Sequence, residues 1–235
     1  MILNQENCEK TARLLRESLH LKRINNISSS IKFTKKLENY INSPFENIHT
    51  CYGPYKIFKQ GMDQHTNLHK KLYELHKYLE TEYWQIVHKI VTDTIREPCF
   101  VQQVPTYRFG FPDNRWVGAY HLDSDFGHSK YELNVILAFT RMNETSALQV
   151  EETPNSYKYK AMNLEKSEII LFNHIDRRHG CCLNREKKSV ASIDFRFIPV
   201  RFVKHAFKNK NQTINSKLQL QPGSYFNSQI ISPNQ

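Results

Sequence analysis

The segment Tyr120-His121-Leu122-Asp123-Ser124-Asp125-Phe126-Gly127-His128 holds the densest set of groups able to do chemistry in this chain. In an extended backbone successive side chains alternate, so His121 and Asp123 share one face. An imidazole and a carboxylate side by side, joined by a second imidazole, make a two-histidine, one-carboxylate set that holds a metal from one side and leaves its other positions open. A His-x-Asp pair alone is common by chance, so the third ligand matters. Two later histidines compete for it. His179 opens a β-run after the apolar stretch Ile169-Ile170-Leu171-Phe172, and His174 lies between them. The order of His-x-Asp, β-structure and a distal histidine at a strand start favours His179, with His174 as a turn residue.

Ligands from distant segments need a β-framework to bring them together. After Pro98, short β-branched and aromatic runs alternate with turn residues, and strands are expected near 100–111, 117–122, 131–139, 147–152, 157–162, 168–173, 179–183 and 189–199. Three of these runs have the same two-faced pattern. Ala191, Ile193, Phe195 and Phe197 alternate with Ser192, Asp194 and Arg196. Leu133, Val135, Leu137 and Phe139 oppose Glu132 and Asn134, and Tyr107, Phe109 and Phe111 oppose Thr106 and Arg108. A wet outer sheet face would give the same pattern. A sandwich whose inner side is a polar chamber is the sharper reading.

Before the strands the period is helical. Residues 5–22 read as one helix. A long one is expected from Gln64 to Ile95, with Leu68, Leu72, Leu75, Leu79, Ile86 and Ile90 on one stripe and Asp63 as its cap. His65, His69, His76 and His88 on that helix read as surface residues, because no acidic partner completes a metal set. The last stretch, 207–235, is rich in Asn, Gln and Ser and is expected to be loosely held. The chain thus divides into a helical part (1–98) packing on a β-core (99–206), with a polar tail (207–235), all in one compact domain.

The chain has 235 residues, 39% hydrophobic and 24% charged, a composition that excludes a disordered tail. Only 7 glycines argue against a Gly-rich phosphate loop. No apolar run approaches the roughly 20 residues that span a bilayer, and residues 1–7 lack a secretory pattern. Five cysteines without a CxxC argue against a disulfide framework or a structural zinc site, and suit a reducing cytoplasm. The net charge of +10 sits mainly at the ends: residues 101–200 carry 13 basic and 12 acidic side chains, whereas 201–235 carry 5 and none. Nucleic-acid readers concentrate positive charge on the folded working surface, so a nucleic-acid partner is not expected.

Taken in order, Pro105-Thr106-Tyr107-Arg108, His121-x-Asp123-Ser124-Asp125-x-Gly127-His128, Glu132-x-Asn134, Thr140, His179-Gly180, Asn184 and Asp194-Phe195-Arg196-x-x-Pro199 resemble the Fe(II)/2-oxoglutarate dioxygenase superfamily. More narrowly, the chain is similar to oxygenase-like proteins of streptomycin-type biosynthetic clusters, and the stretch from His179 to Arg185 is similar to phytanoyl-CoA dioxygenase relatives. The resemblance covers about residues 104–200. It implies a mainly β protein with N-terminal helices, built as a double-stranded β-helix (a cupin-like jelly roll) with helices packed on one sheet. It also implies Fe(II), 2-oxoglutarate as co-substrate, and O2. His121, Asp123 and His179 match the ligand positions. Asp123 sets the chain apart from related halogenases, where a small residue stands instead, so hydroxylation or another two-electron oxidation is expected.

One departure stands out. Relatives place an arginine eleven residues after the distal histidine to grip the far carboxylate of 2-oxoglutarate, and that position is Val190 here. Ser192 matches the hydroxyl that accompanies that arginine. A dicarboxylate needs a cation, so Arg196 and Arg108 are the expected anchors, with Lys188 weaker. In the His174 register Arg185 falls at the usual spacing. Asp125, Glu132, Asn134, Glu151, Glu152 and Asp194 are the candidates for substrate contact. Their charge favours an amino- or guanidino-bearing metabolite such as a free amino acid. A silent binding protein of this fold, or an oxygenase acting on protein or RNA, are the other classes.

Overall fold

The computed structural model describes residues 4–25, 27–53, 65–116, 119–208, 211–213 and 217–233. Its helices are α1 (Gln5–Leu19), α2 (Ser28–Ile41), α3 (His49–Tyr52), α4 (Asn67–His76), α5 (Glu80–Ile90) and α6 (Val203–Ala206). Its strands are β1 (Lys22–Ile24), β2 (Cys99–Val101), β3 (Thr106–Gly110), β4 (Leu133–Ala138), β5 (Leu148–Glu151), β6 (Tyr159–Ala161), β7 (Ile169–Phe172), β8 (His179–Cys181) and β9 (Val190–Pro199).

The long helix expected over 64–95 is two helices and a terminal π-turn. Thr66, not Asp63, caps α4 by accepting from the His69 amide; Asp63 lies outside the described residues. At 77–79 the chain tightens, with Tyr78 N–H donating to Leu75 O and Leu79 N–H to His76 O. The apolar period runs through the break because both helices bury their stripe in one cluster: Leu72 and Leu79 are both fully enclosed. His69 and His76 are not surface residues. They are 1% and 2% exposed and pack edge-on against Phe109 and Tyr83. An apolar stripe widened by two histidines buries them as neutral rings.

All strand pairs are antiparallel. One sheet runs β1-β7-β4-β9-β2, with β3 also on β9; the other runs β6-β5-β8. His121 extends the second sheet by an isolated antiparallel bridge to His179. That bridge is all the β-structure seen in the 117–122 run, of which residues 117–118 lie outside the described set. Along the chain the strand positions therefore alternate between sheets: β3, His121, β4, then β5 and β6, then β7, β8 and β9. This is the winding of a double-stranded β-helix, two sheets facing each other with both ligand segments on the smaller one.

Strand parity sorts the core as expected. Tyr107, Phe109, Leu133, Val135, Leu137, Ala191, Ile193, Phe195 and Phe197 pack on the helices through Phe33, Leu37, Leu72, Tyr83 and Ile86. Each such burial is worth roughly 1.5–3 kcal/mol. The opposite face of the same strands looks into the sandwich. There Ile136, Ala138, Ile170, Phe172 and Val190 meet Leu148, Val150 and Cys181 of the smaller sheet.

The segment expected to be a loose tail packs back in its described part. Ile231 pairs with Cys99, and the Asn227 amide donates to Val101 O. Phe226 is fully buried and Tyr225 is 7% exposed. The open edge of β2 needs backbone partners, and the few apolar residues among the Asn and Gln supply them.

Candidate metal centre

His179 and Val150 are register partners across β5 and β8, so His179 points into the sandwich with the apolar side chains of that sheet. The reciprocal amide bonds between His121 and His179 place the two imidazoles together, ring centroids 4.6 Å apart. Gly180 permits this approach, because a Cβ there would lie 3.1 Å from Tyr120 Cα. After His121 the chain enters a 3-10 turn over Asp123–Phe126. Asp125 caps it by accepting from the Leu122 amide, and Gly127 closes it at φ 89°. The turn carries Asp123 inward, its amide donating to His174 O.

His121 Nε2 and His179 Nε2 both face Asp123 Oδ1, at 3.4 and 3.2 Å. The ligand atoms of these residues all lie within 4.8 Å of one another. Each ring is oriented from behind, His121 Nδ1–H donating to Ala119 O and His179 Nδ1–H to Arg177 O. With Nδ1 engaged in this way, Nε2 is the atom each ring turns toward the carboxylate, the arrangement a metal-ligating histidine uses. His174 stays outside the set. It has no exposed surface, and its Nε2 lies 4.0 Å from Glu132.

Around Asp123 lies a buried ionic network. Arg196 donates through Nη2 to Asp123 Oδ2 at 2.6 Å and through Nη1 to Asp194 Oδ2 and the Tyr225 hydroxyl. Arg108 Nε donates to Asp194 Oδ1 at 2.8 Å. Glu132 accepts from His128 Nδ1 and the Ser129 amide. Burial alone would raise the Asp123 carboxyl, but Arg196 and the hydrogen bonds from His121 and His179 hold it well below its ordinary range. Burial opposes the His121 imidazolium, yet Asp123 raises that ring above its usual value. Burial pushes His174 far down, leaving it neutral. For Arg196, burial is outweighed by Tyr225, Asp123, Asp194 and Glu132, so its charge is permanent.

The other expected site residues divide into two groups. Ser192, Asp194, Arg196, Arg108, Glu132 and Asn134 face the chamber, as their strand parity required. Asp125 and Glu152 do not: both are exposed. Glu151 is buried but spent on the Tyr157 and Arg178 amides. Lys188 and Arg185 are exposed on a loop. Val190 sits in the apolar cluster with Trp116 and Ile136.

Sequence reasoning missed Tyr225, hidden in a polar stretch, and the clamp from α1. In that clamp Arg16 donates to Asp176 and to Lys130 O, and Glu17 accepts from Arg177 and Asn173. It fastens the loop between His174 and His179. The one trace of it in the sequence is that Arg16 falls in line with Cys8, Ala12 and Leu19, at helical spacing, where an apolar residue would otherwise stand. No helix among the described residues is long and apolar enough to cross a membrane.

No family model matches the chain. Streptomycin biosynthesis protein StrG of Streptomyces griseus is 28% identical over 144 residues, 61% of this chain and 68% of that protein. Similar solved structures include the non-heme alpha ketoglutarate dependent carbocyclase SnoK from nogalamycin biosynthesis, with TM-score 0.49 and 13% identity over 83% of this chain and 85% of that one. Another is CytC3 with Fe(II) and alpha-ketoglutarate, with TM-score 0.48 and 13% identity over 85% and 78%. A third is a prolyl hydroxylase from Trichoplax adhaerens bound to a hypoxia inducible factor peptide, with TM-score 0.46 and 13% identity over 83% and 91%. The strands wind as a double-stranded β-helix, and the ligand atoms of His121, Asp123 and His179 converge within 4.8 Å of one another.

Proposed function

We propose that the protein is an Fe(II)- and 2-oxoglutarate-dependent oxygenase that hydroxylates a small molecule. The observation that carries this is the convergence of His121 Nε2, His179 Nε2 and one Asp123 oxygen inside a closed sandwich. Two neutral imidazoles and one carboxylate suit Fe(II) and leave positions open for co-substrate and O2. Bound Fe(II) supplies the activation of O2, coupled to oxidation of the 2-oxo acid.

The chain's own residues orient and insulate. Arg196 pins the second oxygen of Asp123, so the first faces the histidines. Phe172 closes over His179, ring centroids 5.1 Å apart, and with Val150 and Cys181 keeps water from that side. Both Nη atoms of Arg196 are committed to Asp123, Asp194 and Tyr225. Arg108, whose side chain keeps 17% exposure on the same face, is the better anchor for the far carboxylate of 2-oxoglutarate.

An amino- or guanidino-bearing substrate finds less support than its sequence suggested. Asp194 and Glu132 already pair with Arg108, Arg196 and His128, and Asp125 and Glu152 stand outside the chamber. Fe(II)-dependent conversion of 2-oxoglutarate to succinate, stimulated by a small-molecule substrate, is the expected activity. Iron binding with no succinate under a broad substrate screen would favour a silent binding protein.

A further inference from the structure

One partner of Arg196 comes from the C-terminal segment. The Tyr225 hydroxyl accepts from Arg196 Nη1 at 2.9 Å and donates to Gln102 Oε1 at 2.8 Å. Gln102 is buried, and its Nε2 donates to Val104 O and Thr106 Oγ1, so its oxygen is the end turned to Tyr225. The Tyr225 backbone is held as well, its amide donating to Gln219 O and its carbonyl accepting from the Gln103 amide. Burial raises the phenol above its ordinary value, although Arg196 opposes this, so a neutral hydroxyl stands beside the guanidinium.

The shape of the guanidinium carries this contact to Asp123. It is a rigid planar fork, so fixing one arm aims the other. Nη2 makes the 2.6 Å bond to Asp123 Oδ2. On Nη1 the nearest acceptor is Tyr225, ahead of Asp194 at 3.1 Å and Gln102 at 3.4 Å. Asp194 stands two residues along the same strand and also takes the bond from Arg108. Tyr225 belongs to a separate segment with its own anchors on β2, where Ile231 pairs with Cys99 and the Asn227 amide donates to Val101 O. The C-terminal part also meets the turn that carries Asp123, Asn211 Nδ2 donating to Gly127 O at 3.0 Å.

We propose that Tyr225 is a positioning residue of the metal centre, and that through it the C-terminal segment sets how firmly Asp123 is presented to the metal. This rests on the iron-binding reading and adds an element from outside the β-core. Tyr225 acts through Arg196, not on a ligand itself.

The test is anaerobic calorimetric titration of the full chain with Fe(II), without co-substrate. Tyr225→Phe removes one oxygen and keeps the ring. It should weaken Fe(II) binding by about fivefold or more, close to the low edge of the roughly 10–100-fold that loss of a ligand's own partner costs. The control is Ile231→Ala, which loosens the same segment at its pairing with Cys99. That variant should lower the melting temperature and leave Fe(II) affinity within about twofold. Gln102→Leu, which removes the acceptor of the Tyr225 hydroxyl, repeats the test should Tyr225→Phe not fold. A loss smaller than about fivefold overturns the proposal. So does an equal loss in Ile231→Ala, which would make the segment a general support of the fold. Failure of the unaltered protein to bind Fe(II) at all would instead sink the iron-binding reading beneath it.

Discussion

Arg196 Nη2 lies 2.6 Å from Asp123 Oδ2, while Asp123 Oδ1 faces both His121 and His179. One carboxylate is thus shared between a buried guanidinium and the metal-ligand set. A free carboxylate on a turn would rotate; this one is fixed from behind by a permanent charge. On the iron-binding reading proposed above, Arg196 is a positioning residue for Asp123. Arg196→Lys, which keeps charge but loses the fork, should lower Fe(II) affinity roughly 10–100-fold. An Fe(II) titration followed by activity against 2-oxoglutarate concentration separates this from a co-substrate effect. A raised Michaelis constant for 2-oxoglutarate at full iron occupancy would return Arg196 to the anchor role.

Arg108 carries the complementary expectation. Arg108→Ala leaves Asp194 still paired with Arg196, so the fold should survive. Its apparent Michaelis constant for 2-oxoglutarate should rise about tenfold or more, in line with losing a charge-assisted contact. An effect confined to the primary substrate would mark Arg108 as a substrate clamp.

The clamp between α1 and the loop before His179 should matter for both stability and metal. Arg16 is 4% exposed and holds Asp176 at 2.7 Å. Its removal leaves Asp176 without its main partner in a partly buried setting, at a cost on the order of 3 kcal/mol. Arg16→Ala should therefore lower the melting temperature of the metal-free protein and also weaken iron binding, since the loop that presents His179 loses its fastening. An unchanged melting temperature would show that α1 is merely adjacent.

His69 and His76 set an acid limit. Burial lowers both from an ordinary 6.5 to about 4, Arg108 adding to the effect at His69. The unfolded chain takes up these protons below about 6.5, and the folded chain only below about 4. Stability is full above the upper value and falls as the pH drops through that window, by on the order of 3 kcal/mol per histidine. Chemical denaturation at steps from pH 7 to 4 should show the decline, and His76→Phe should flatten it. A stability independent of pH over that range would contradict the buried neutral rings.

Much of this was legible in the sequence because side-chain parity is a local property. Alternation in 106–111, 131–139 and 189–199 sets Arg108, Asn134, Asp194 and Arg196 apart from the apolar positions of their strands, and the His-x-Asp pair with a distal strand-opening histidine singles out the three residues whose ligand atoms converge. What stayed hidden depended on partners far along the chain. Asp194 and Glu132 read as spare negative charge because their pairing with Arg108, Arg196 and His128 is tertiary. The burial of His69 and His76 depends on Phe109, Tyr107 and Tyr83. Tyr225 reaches Arg196 from a stretch whose composition suggested no fixed structure.

The central claim is that His121, Asp123 and His179 hold the iron. Anaerobic Fe(II) titration in the presence of 2-oxoglutarate, followed by the visible metal-to-ligand charge-transfer band, addresses it directly. The unaltered protein should develop the band at one iron per chain. His121→Ala, Asp123→Ala and His179→Ala should each abolish it with the fold retained by circular dichroism, and His174→Ala should keep it. A band that survives loss of His179 but vanishes with His174 would contradict the account.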